Sequence, residues 1–311
     1  MWHRLRTTYS LPVTQEATRI VLRGLDPEGV ALRSSRRIIR REYICPGPNY
    51  LIHIDGYDKL KQFGFAVHAA IDGFSRKILW LYVGKTNNNP QIIATFFIDF
   101  VKRIEGMPRI IRGDRGTENV LVRDIQVALR WHHDDAFRRY KSFLYGRSVA
   151  NQRIEAWWGQ LRRMSANYWM QLFSRMKDNG SFDNSNPIHV DCIRLCFNRL
   201  IQRDFDRVVQ EWNQHLIRSP RYRNLREIPD VMYFTPEVFQ TRDYKMPLNA
   251  SMEELAEVER QYCSVYPQHN CSPELLAVIH ELFGEIGNDQ LPDTVEEAIQ
   301  LYQDIVEFLS D

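Results

Sequence analysis

The pattern that most constrains this chain is a group of three strand-like runs followed by alternating helical and strand-like segments. The strand-like runs cover 50–55, 63–72 and 76–84. Further along the chain we predict a helix over 88–106, a strand over 108–114, a helix over 117–131, a short strand over 142–146 and long helices over 151–176 and 189–216. This order predicts an α/β fold with a mixed sheet.

Charge is unevenly distributed along the chain. Residues 250–311 hold 14 acidic residues and one basic residue, which gives this segment a charge of −13 and leaves +15 for the remainder. A basic body of this kind favours a polyanionic partner such as nucleic acid, although an uneven solvated surface is the alternative. Three amphipathic helical patterns in the acidic part predict a helical C-terminal appendage, and we assign it to 246–311.

The first 44 residues are interpreted as a separate segment. Helical patterns at 2–9 and 14–29 flank a turn and resemble a helix-turn-helix unit, but a third helix is not evident and a generic helical cap is the alternative. A basic linker follows and could bind phosphates or be merely solvated. Its arginines are Arg33, Arg36, Arg37, Arg40 and Arg41. The rigid CPGPN stretch at 45–49 predicts a domain boundary, so the central domain is assigned to 45–245.

Composition excludes several other classes of protein. No run approaches the roughly 20 apolar residues of a membrane span, and the first residues lack the apolar centre of a signal peptide, so we expect neither membrane insertion nor secretion. The five cysteines are scattered and odd in number, which argues against a disulfide framework. His189, Cys192 and Cys196 share helical spacing, but without a paired fourth ligand we interpret the cysteines as buried structural residues rather than a zinc site.

Three acidic residues occur where an isolated charge is costly. Asp55 ends the first strand, Asp114 follows the strand 108–114, and Glu155 lies between Ile154 and two tryptophans on a predicted helix. Divalent cations such as Mg²⁺ bind carboxylate oxygens, and two such ions can serve phosphoryl transfer. The three carboxylates are therefore a candidate metal site.

The motifs HIDGYDKL, RGDRGTEN and VANQRIEAWWGQLRR resemble the Asp-Asp-Glu core of integrases and transposases. The resemblance covers residues 40–240 and is closer still to the integrase core domain proteins of animal genomes, which are thought to derive from mobile elements. It implies an RNase H-like fold with a five-stranded mixed sheet. It also implies that Asp55, Asp114 and Glu155 are the catalytic residues and bind two Mg²⁺ or Mn²⁺ ions. The 40 residues between Asp114 and Glu155 exceed the usual retroviral spacing, and we assign the extra residues to the preceding loop.

Other residues near these motifs are weaker candidates. Asp58 and Glu118 compete as metal ligands, and Asn119 could bind a phosphate or orient the site. Arg162 and Arg163 are predicted phosphate contacts, with a solvated helix face as the alternative. The two tryptophans after Glu155 are interpreted as core residues.

Two functions of different classes follow from the resemblance. One is an integrase or transposase that performs 3′-end processing and strand transfer on DNA, as a homo-oligomer in the nucleus. The other is a protein descended from a mobile element that binds DNA or acts as a scaffold without catalysis. An RNase H-type nuclease acting on RNA–DNA hybrids shares the fold.

Overall fold

A computed structural model of the protein describes most of the chain and divides it into two compact units, residues 1–44 and 45–311. The described residues are 2–7, 9–35, 43–146, 151–217, 227–265, 270–283 and 291–309.

The first unit contains three helices, α1 (Trp2–Thr7), α2 (Gln15–Leu25) and α3 (Pro27–Ser35). Helix α2 begins where the Thr14 hydroxyl accepts a hydrogen bond from the Ala17 N–H, as expected for an N-cap. The expectation of only two helices is corrected, because the Asp26 carboxylate accepts from the Gly29 N–H and starts a third helix in the predicted linker. Four predicted DNA contacts lie outside the described residues: Arg36, Arg37, Arg40 and Arg41.

The second unit is built on a five-stranded sheet in the order β3-β2-β1-β4-β5. Its strands are β1 (Leu51–Tyr57), β2 (Ala66–Asp72), β3 (Ile78–Gly84), β4 (Ile110–Gly113) and β5 (Phe143–Tyr145). Strands β1 to β3 are antiparallel, whereas β4 runs parallel to β1 and β5 parallel to β4. The predicted fold class, an RNase H-like mixed sheet with flanking helices, is therefore confirmed.

Nine helices are described in this unit. They are α4 (Pro90–Ile104), α5 (Val120–Leu129), α6 (Gln152–Leu161), α7 (Asn167–Asp178), α8 (Pro187–Gln214), α9 (Pro229–Phe234), α10 (Met252–Tyr262), α11 (Pro273–Phe283) and α12 (Val295–Phe308). The helix predicted over 151–176 is interrupted by a π-helical turn, Arg162–Ala166, which separates α6 from α7. Among the described helices, none has both the length and the apolar character needed to cross a membrane.

The sheet separates two hydrophobic cores. One face packs against α6, α7, α8 and α12, and the opposite face packs against α4 and α5. Adjacent strand residues serve opposite cores, as Ala69 and Ala70 do on β2, because side chains alternate across a strand. A sheet buried on both faces explains why these strands are nearly continuous apolar runs.

The outer edge of β3 is covered by amide side chains of α8. The Asn213 amide accepts from the Ile78 N–H over 2.8 Å and donates to the Ile78 carbonyl over 3.1 Å. Gln202 makes the same kind of pair with the Val83 N–H and the Leu81 carbonyl. These contacts satisfy backbone groups that an edge strand otherwise exposes.

The acidic C-terminal helices pack onto the second unit rather than standing apart from it. Leu255 of α10 is buried in the core beside α4, and Tyr302 and Ile305 of α12 are buried against α8. The Tyr302 hydroxyl donates to the Ser181 carbonyl over 3.0 Å and lies 2.7 Å from His189 Nδ1. The apolar stripe predicted on α12 is thus the surface that attaches this segment.

Candidate active site

Asp55 and Asp114 lie toward the same end of the neighbouring parallel strands β1 and β4. Asp55 is the fifth residue of β1, and Asp114 directly follows β4. The parallel register pairs His53 with Arg112, so continuing it by two residues places Asp55 beside Asp114. Neighbouring strands are about 4.8 Å apart, which brings the two carboxylates into one neighbourhood.

Asp55 is half-buried and held by a tryptophan. The Trp158 indole Nε1 donates a hydrogen bond to Asp55 Oδ2 over 2.9 Å. Burial raises the pKa of Asp55 to about 7; the bond from Trp158 opposes this shift, and the charges of Glu155 and Asp114 add to it. Asp114 and Glu155 therefore both lie close enough to Asp55 for their charges to act on it.

Glu155 occupies the first turn of α6 and is exposed to solvent. Its N–H donates to the carbonyl of Asn151, the residue that begins the helix, over 3.2 Å. Glu155 thus lies at the amino end of α6, close enough to Asp55 for its charge to raise the pKa of that residue.

A buried amide connects the start of α6 to β1. Asn151 Nδ2 donates to the Ile54 carbonyl over 2.9 Å, and Asn151 Oδ1 lies 2.6 Å from His53 Nδ1. Burial lowers the pKa of His53 to about 4, so the imidazole is neutral near pH 7 and its Nδ1–H donates to Asn151. This pair of contacts fixes the helix that carries Glu155 against the strand that carries Asp55.

Asp114 is held by the turn that follows it. The Gly116 N–H and Asn119 Nδ2 donate to Asp114 Oδ1 over 3.2 and 3.0 Å, and Asn119 Nδ2 also contacts Glu118 Oε1 over 3.0 Å. Burial and the neighbouring Asp114 raise the pKa of Glu118. Asn119 is only 1% exposed, and its amide donor is used by the two carboxylates. Of the two roles predicted for Asn119, these contacts fit the orientation of the site, and a phosphate contact stays a prediction.

Asp58, the other competing ligand, is held at the rim of the site. Its carboxylate accepts from Asn87 Nδ2 over 2.8 Å and pairs with Lys61 at 3.4 Å. A Cβ on Gly56 would lie 2.5 Å from Asn87 Nδ2. The absence of a side chain at Gly56 thus leaves the space that the Asn87 amide occupies.

The predicted arginine contacts lie beyond the carboxylates. Arg162 and Arg163 are exposed and open the π-helical turn, a distortion that is frequent at functional sites. The Arg162 charge opposes the upward shift that burial causes in the pKa of Tyr57, the last residue of β1. Arg162 thus faces the strand that carries Asp55, although its Nε also donates to Asn167 Oδ1 over 3.0 Å.

The tryptophans and cysteines are buried as expected for core residues. Trp157 is 1% and Trp158 6% exposed. Cys192 and Cys196 are buried on α8, and burial raises the pKa of the Cys192 thiol to about 12. What the sequence did not reveal is the polar role of Trp158, since an apolar helix face gives no sign of where an indole N–H points.

The donor chemistry of the site suits a hard divalent cation. Asp55, Asp114 and Glu155 offer carboxylate oxygens, and their mutual repulsion is the kind of charge that such a cation offsets. Within the described ranges, no three His, Cys, Asp or Glu side chains already converge closely enough to enclose an ion. The exposed Glu155 side chain is the member free to move inward.

Two comparisons with known proteins give a match. A protein-family model described as integrase core domain matches residues 42–238. A solved structure of the simian T-cell lymphotropic virus intasome in complex with the PP2A regulatory subunit B56 gamma matches at 14% identity and a TM-score of 0.39. That match covers 68% of this chain and 63% of the chain in the solved structure. The comparison with curated proteins found no match.

Proposed function

We propose that this chain, which belongs to the integrase core domain family, transfers phosphoryl groups on DNA at a site formed by Asp55, Asp114 and Glu155. The observation that carries the proposal is the environment of Asp55, which is repelled by the other two carboxylates. Three acids gathered around one space cost free energy, and a bound cation and phosphate recover it.

The cofactor that we propose is a pair of Mg²⁺ or Mn²⁺ ions held by these three carboxylates. When bound, the ions would neutralise the acids and stabilise the charge that develops on the phosphate. Glu118 and Asp58 are outer acids in this proposal, because the carboxylates whose charges raise the pKa of Asp55 are Glu155 and Asp114.

The chain's own residues contribute orientation. Trp158 fixes Asp55, Asn119 fixes Asp114, and Asn151 fixes the start of the helix that carries Glu155. Held in this way, Asp55 and Asp114 do not have to be ordered when the substrate binds, and Glu155 completes the site from a fixed helix. Arg162 is positioned to contact a phosphate of the bound strand.

The reaction that fits this arrangement is in-line attack on a phosphodiester. Water first attacks a phosphodiester and exposes a DNA 3′-hydroxyl. That hydroxyl then attacks a phosphodiester of a second DNA molecule. These steps are 3′-end processing and strand transfer. The proposed partners are mobile-element ends and target DNA, with a second copy of the chain, in the nucleus.

The test is cleavage of end-labelled DNA by the purified full chain in Mg²⁺, Mn²⁺ or EDTA. The proposal predicts nicked and joined products with either metal and none with EDTA. Labelled RNA–DNA hybrid and single-stranded DNA are compared at equal concentration.

Three results contradict the proposal. Salt-sensitive binding without cleavage of any substrate supports the DNA-binding protein without catalysis. Preferential cleavage of the RNA strand in a hybrid supports an RNase H-type nuclease. Cleavage that persists in EDTA excludes the proposed cofactor.

A further inference from the structure

The loop between α5 and β5 carries an exposed cluster of basic and aromatic residues. Arg138, Arg139, Tyr140 and Lys141 are all exposed, and Tyr140 has 73% of its surface in solvent. We refer to residues 138–141 as the loop surface. The loop surface thus combines one exposed aromatic ring with three exposed basic side chains.

The loop is held in place by a buried ion pair. Arg130 is fully buried, and its Nη2 lies 2.5 Å from Asp135 Oδ2, while Arg109 contacts the other oxygen at 3.4 Å. Asp135 Oδ1 also accepts from the Phe137 N–H over 2.9 Å. The loop surface is therefore a fixed shape rather than a freely moving segment.

The positive charge of this region exceeds its negative charge. Two guanidinium groups share the single carboxylate of Asp135, and buried nitrogen atoms of Arg109 and Arg130 make no hydrogen bond to described residues. Arg138 pairs with Asp134, whose side chain is fully exposed, so this pair is weak. In the described part of the chain, no carboxylate pairs with Arg139 or Lys141. The region thus projects a positive potential.

The backbone at the loop surface is strained in a way that presents the tyrosine. Arg139 has φ +58°, in the left-handed region that non-glycine residues rarely adopt. Its guanidinium lies 5.0 Å from the centre of the Trp131 ring, and that ring meets Tyr140 edge-on at 5.7 Å. Arg139 therefore stacks on Trp131 while Tyr140 points outward. Strain of this kind persists where the surrounding structure imposes it, often at binding sites.

The loop surface lies away from the carboxylates. Strands β4 and β5 are parallel; Asp114 follows the end of β4, whereas the loop precedes the start of β5. The two sites therefore lie at opposite ends of these parallel strands. A cavity of about 610 Å³ is lined by the loop itself, from Asp134 to Lys141.

We propose that the loop surface binds single-stranded nucleic acid, with Arg139 and Lys141 contacting phosphates and Tyr140 stacking on a base. Aromatic stacking combined with basic side chains is the usual means of binding single strands without strict sequence preference. Because it lies apart from the carboxylates, this surface would hold a strand other than the one that reacts. The proposal extends the proposed function but does not depend on catalysis.

The experiment measures binding of a fluorescent single-stranded DNA in EDTA by fluorescence anisotropy at several salt concentrations. All variants are made in the full chain with Asp55→Asn, so that catalysis cannot alter the probe. The test variants are Arg139→Ala with Lys141→Ala, Tyr140→Ala and Tyr140→Phe. The matched control is Arg175→Ala with Lys177→Ala, which removes the same charge from exposed positions of α7.

The double variant is expected to bind about tenfold more weakly and to lower the slope of log K against log salt by about 1.4, as loss of two phosphate contacts requires. Tyr140→Ala should also weaken binding about tenfold, while Tyr140→Phe retains wild-type affinity because the ring remains.

Unchanged affinity in the double variant, or an equal loss in the α7 control, overturns the proposal. If polyglutamate competes as well as DNA and Tyr140→Ala has no effect, the surface binds an acidic polypeptide instead. Binding is measured without metal, so weaker binding by the variants upholds this inference even if the chain with Asp55 intact shows no strand transfer, a result that rejects only the proposed catalysis.

Discussion

The Trp158 indole donates its N–H to Asp55 Oδ2 over 2.9 Å, which links a buried core residue of α6 directly to the acid at the end of β1. The same helix carries Glu155 one turn earlier. One element thus supplies one carboxylate and orients another. The hydrogen bond to Asp55 distinguishes Trp158 from the adjacent Trp157, whose indole N–H makes no hydrogen bond to the described residues.

Trp158→Phe should shift the pH dependence of activity. The variant keeps the packed ring but loses the donor that lowers the pKa of Asp55, so this pKa rises above about 7 by roughly one unit. Asp55 must be ionised to bind a cation, so the loss of activity should be larger at pH 6.5 than at pH 8.5. The measurement is the pH–rate profile of strand transfer.

Trp157→Phe is the matched control for this prediction. Trp157 is equally buried, but its Nε1 makes no hydrogen bond to the described residues. Its profile should keep the wild-type midpoint. Equal shifts in both variants would mean that ring packing, not the hydrogen bond, controls Asp55.

Asn151→Ala should lower both the stability of the fold and the activity of the site. The variant removes the hydrogen bonds from Asn151 to the buried Ile54 carbonyl and to His53 Nδ1, which costs about 2 kcal/mol of unfolding free energy. It also releases the start of the helix that carries Glu155, so strand transfer under conditions where the protein stays folded should fall by at least about tenfold.

Asn213→Ala provides the comparison, because this amide also makes two buried bonds to a strand but at the far edge of the sheet. Urea denaturation should show a similar loss of stability, with activity retained. A matching loss of activity in Asn213→Ala would remove the special role of Asn151.

His68 should make the protein less stable in acid. Burial lowers its pKa to about 3, and its Nδ1 accepts the Trp80 indole N–H over 3.2 Å. Between about pH 6.5 and 3 the unfolded state binds a proton that the folded state does not, so stability falls by about 1.4 kcal/mol for each unit that the pH decreases. Urea denaturation at several pH values measures this slope.

His68→Asn keeps an acceptor for Trp80 and removes the titrating group. Within this range the slope of unfolding free energy against pH should become shallower by about 1.4 kcal/mol per pH unit, which corresponds to one proton. The exposed His215 provides a control, and His215→Asn should leave the slope as it is. A wild-type slope in His68→Asn would contradict the assignment.

The attachment of α12 predicts that the acidic helices are needed for stability. Tyr302→Ala removes a fully buried ring and its polar contacts and should cost about 3–5 kcal/mol, whereas Tyr302→Phe should cost only about 1 kcal/mol. Thermal unfolding measures both, with Tyr262→Ala on the exposed face of α10 as the control. Equal stability of Tyr302→Ala and Tyr262→Ala would show that α12 is a dispensable appendage.

The sequence was sufficient for the order of the strands and for the position of two aspartates toward strand ends, because both follow from local patterns. It was insufficient for contacts between distant residues. The pairing of Asn151 with His53, nearly 100 residues away, depends on how α6 packs on β1. Two roles were open for Asn119 in the sequence, and only folding shows that it is buried and donates to Asp114.

The most direct test of the account is single-turnover strand transfer by Asp55→Asn, Asp114→Asn and Glu155→Gln in Mg²⁺ and Mn²⁺. Asp206→Asn, which changes an exposed carboxylate on α8, serves as the control. Each of the three variants should lose on the order of 10³-fold in rate, while the control keeps wild-type activity. Asp55→Asn should also be at least as stable as wild type above pH 7, because the variant no longer buries an ionised carboxylate. Wild-type joining by any of the three would contradict the claim that these carboxylates form one catalytic site.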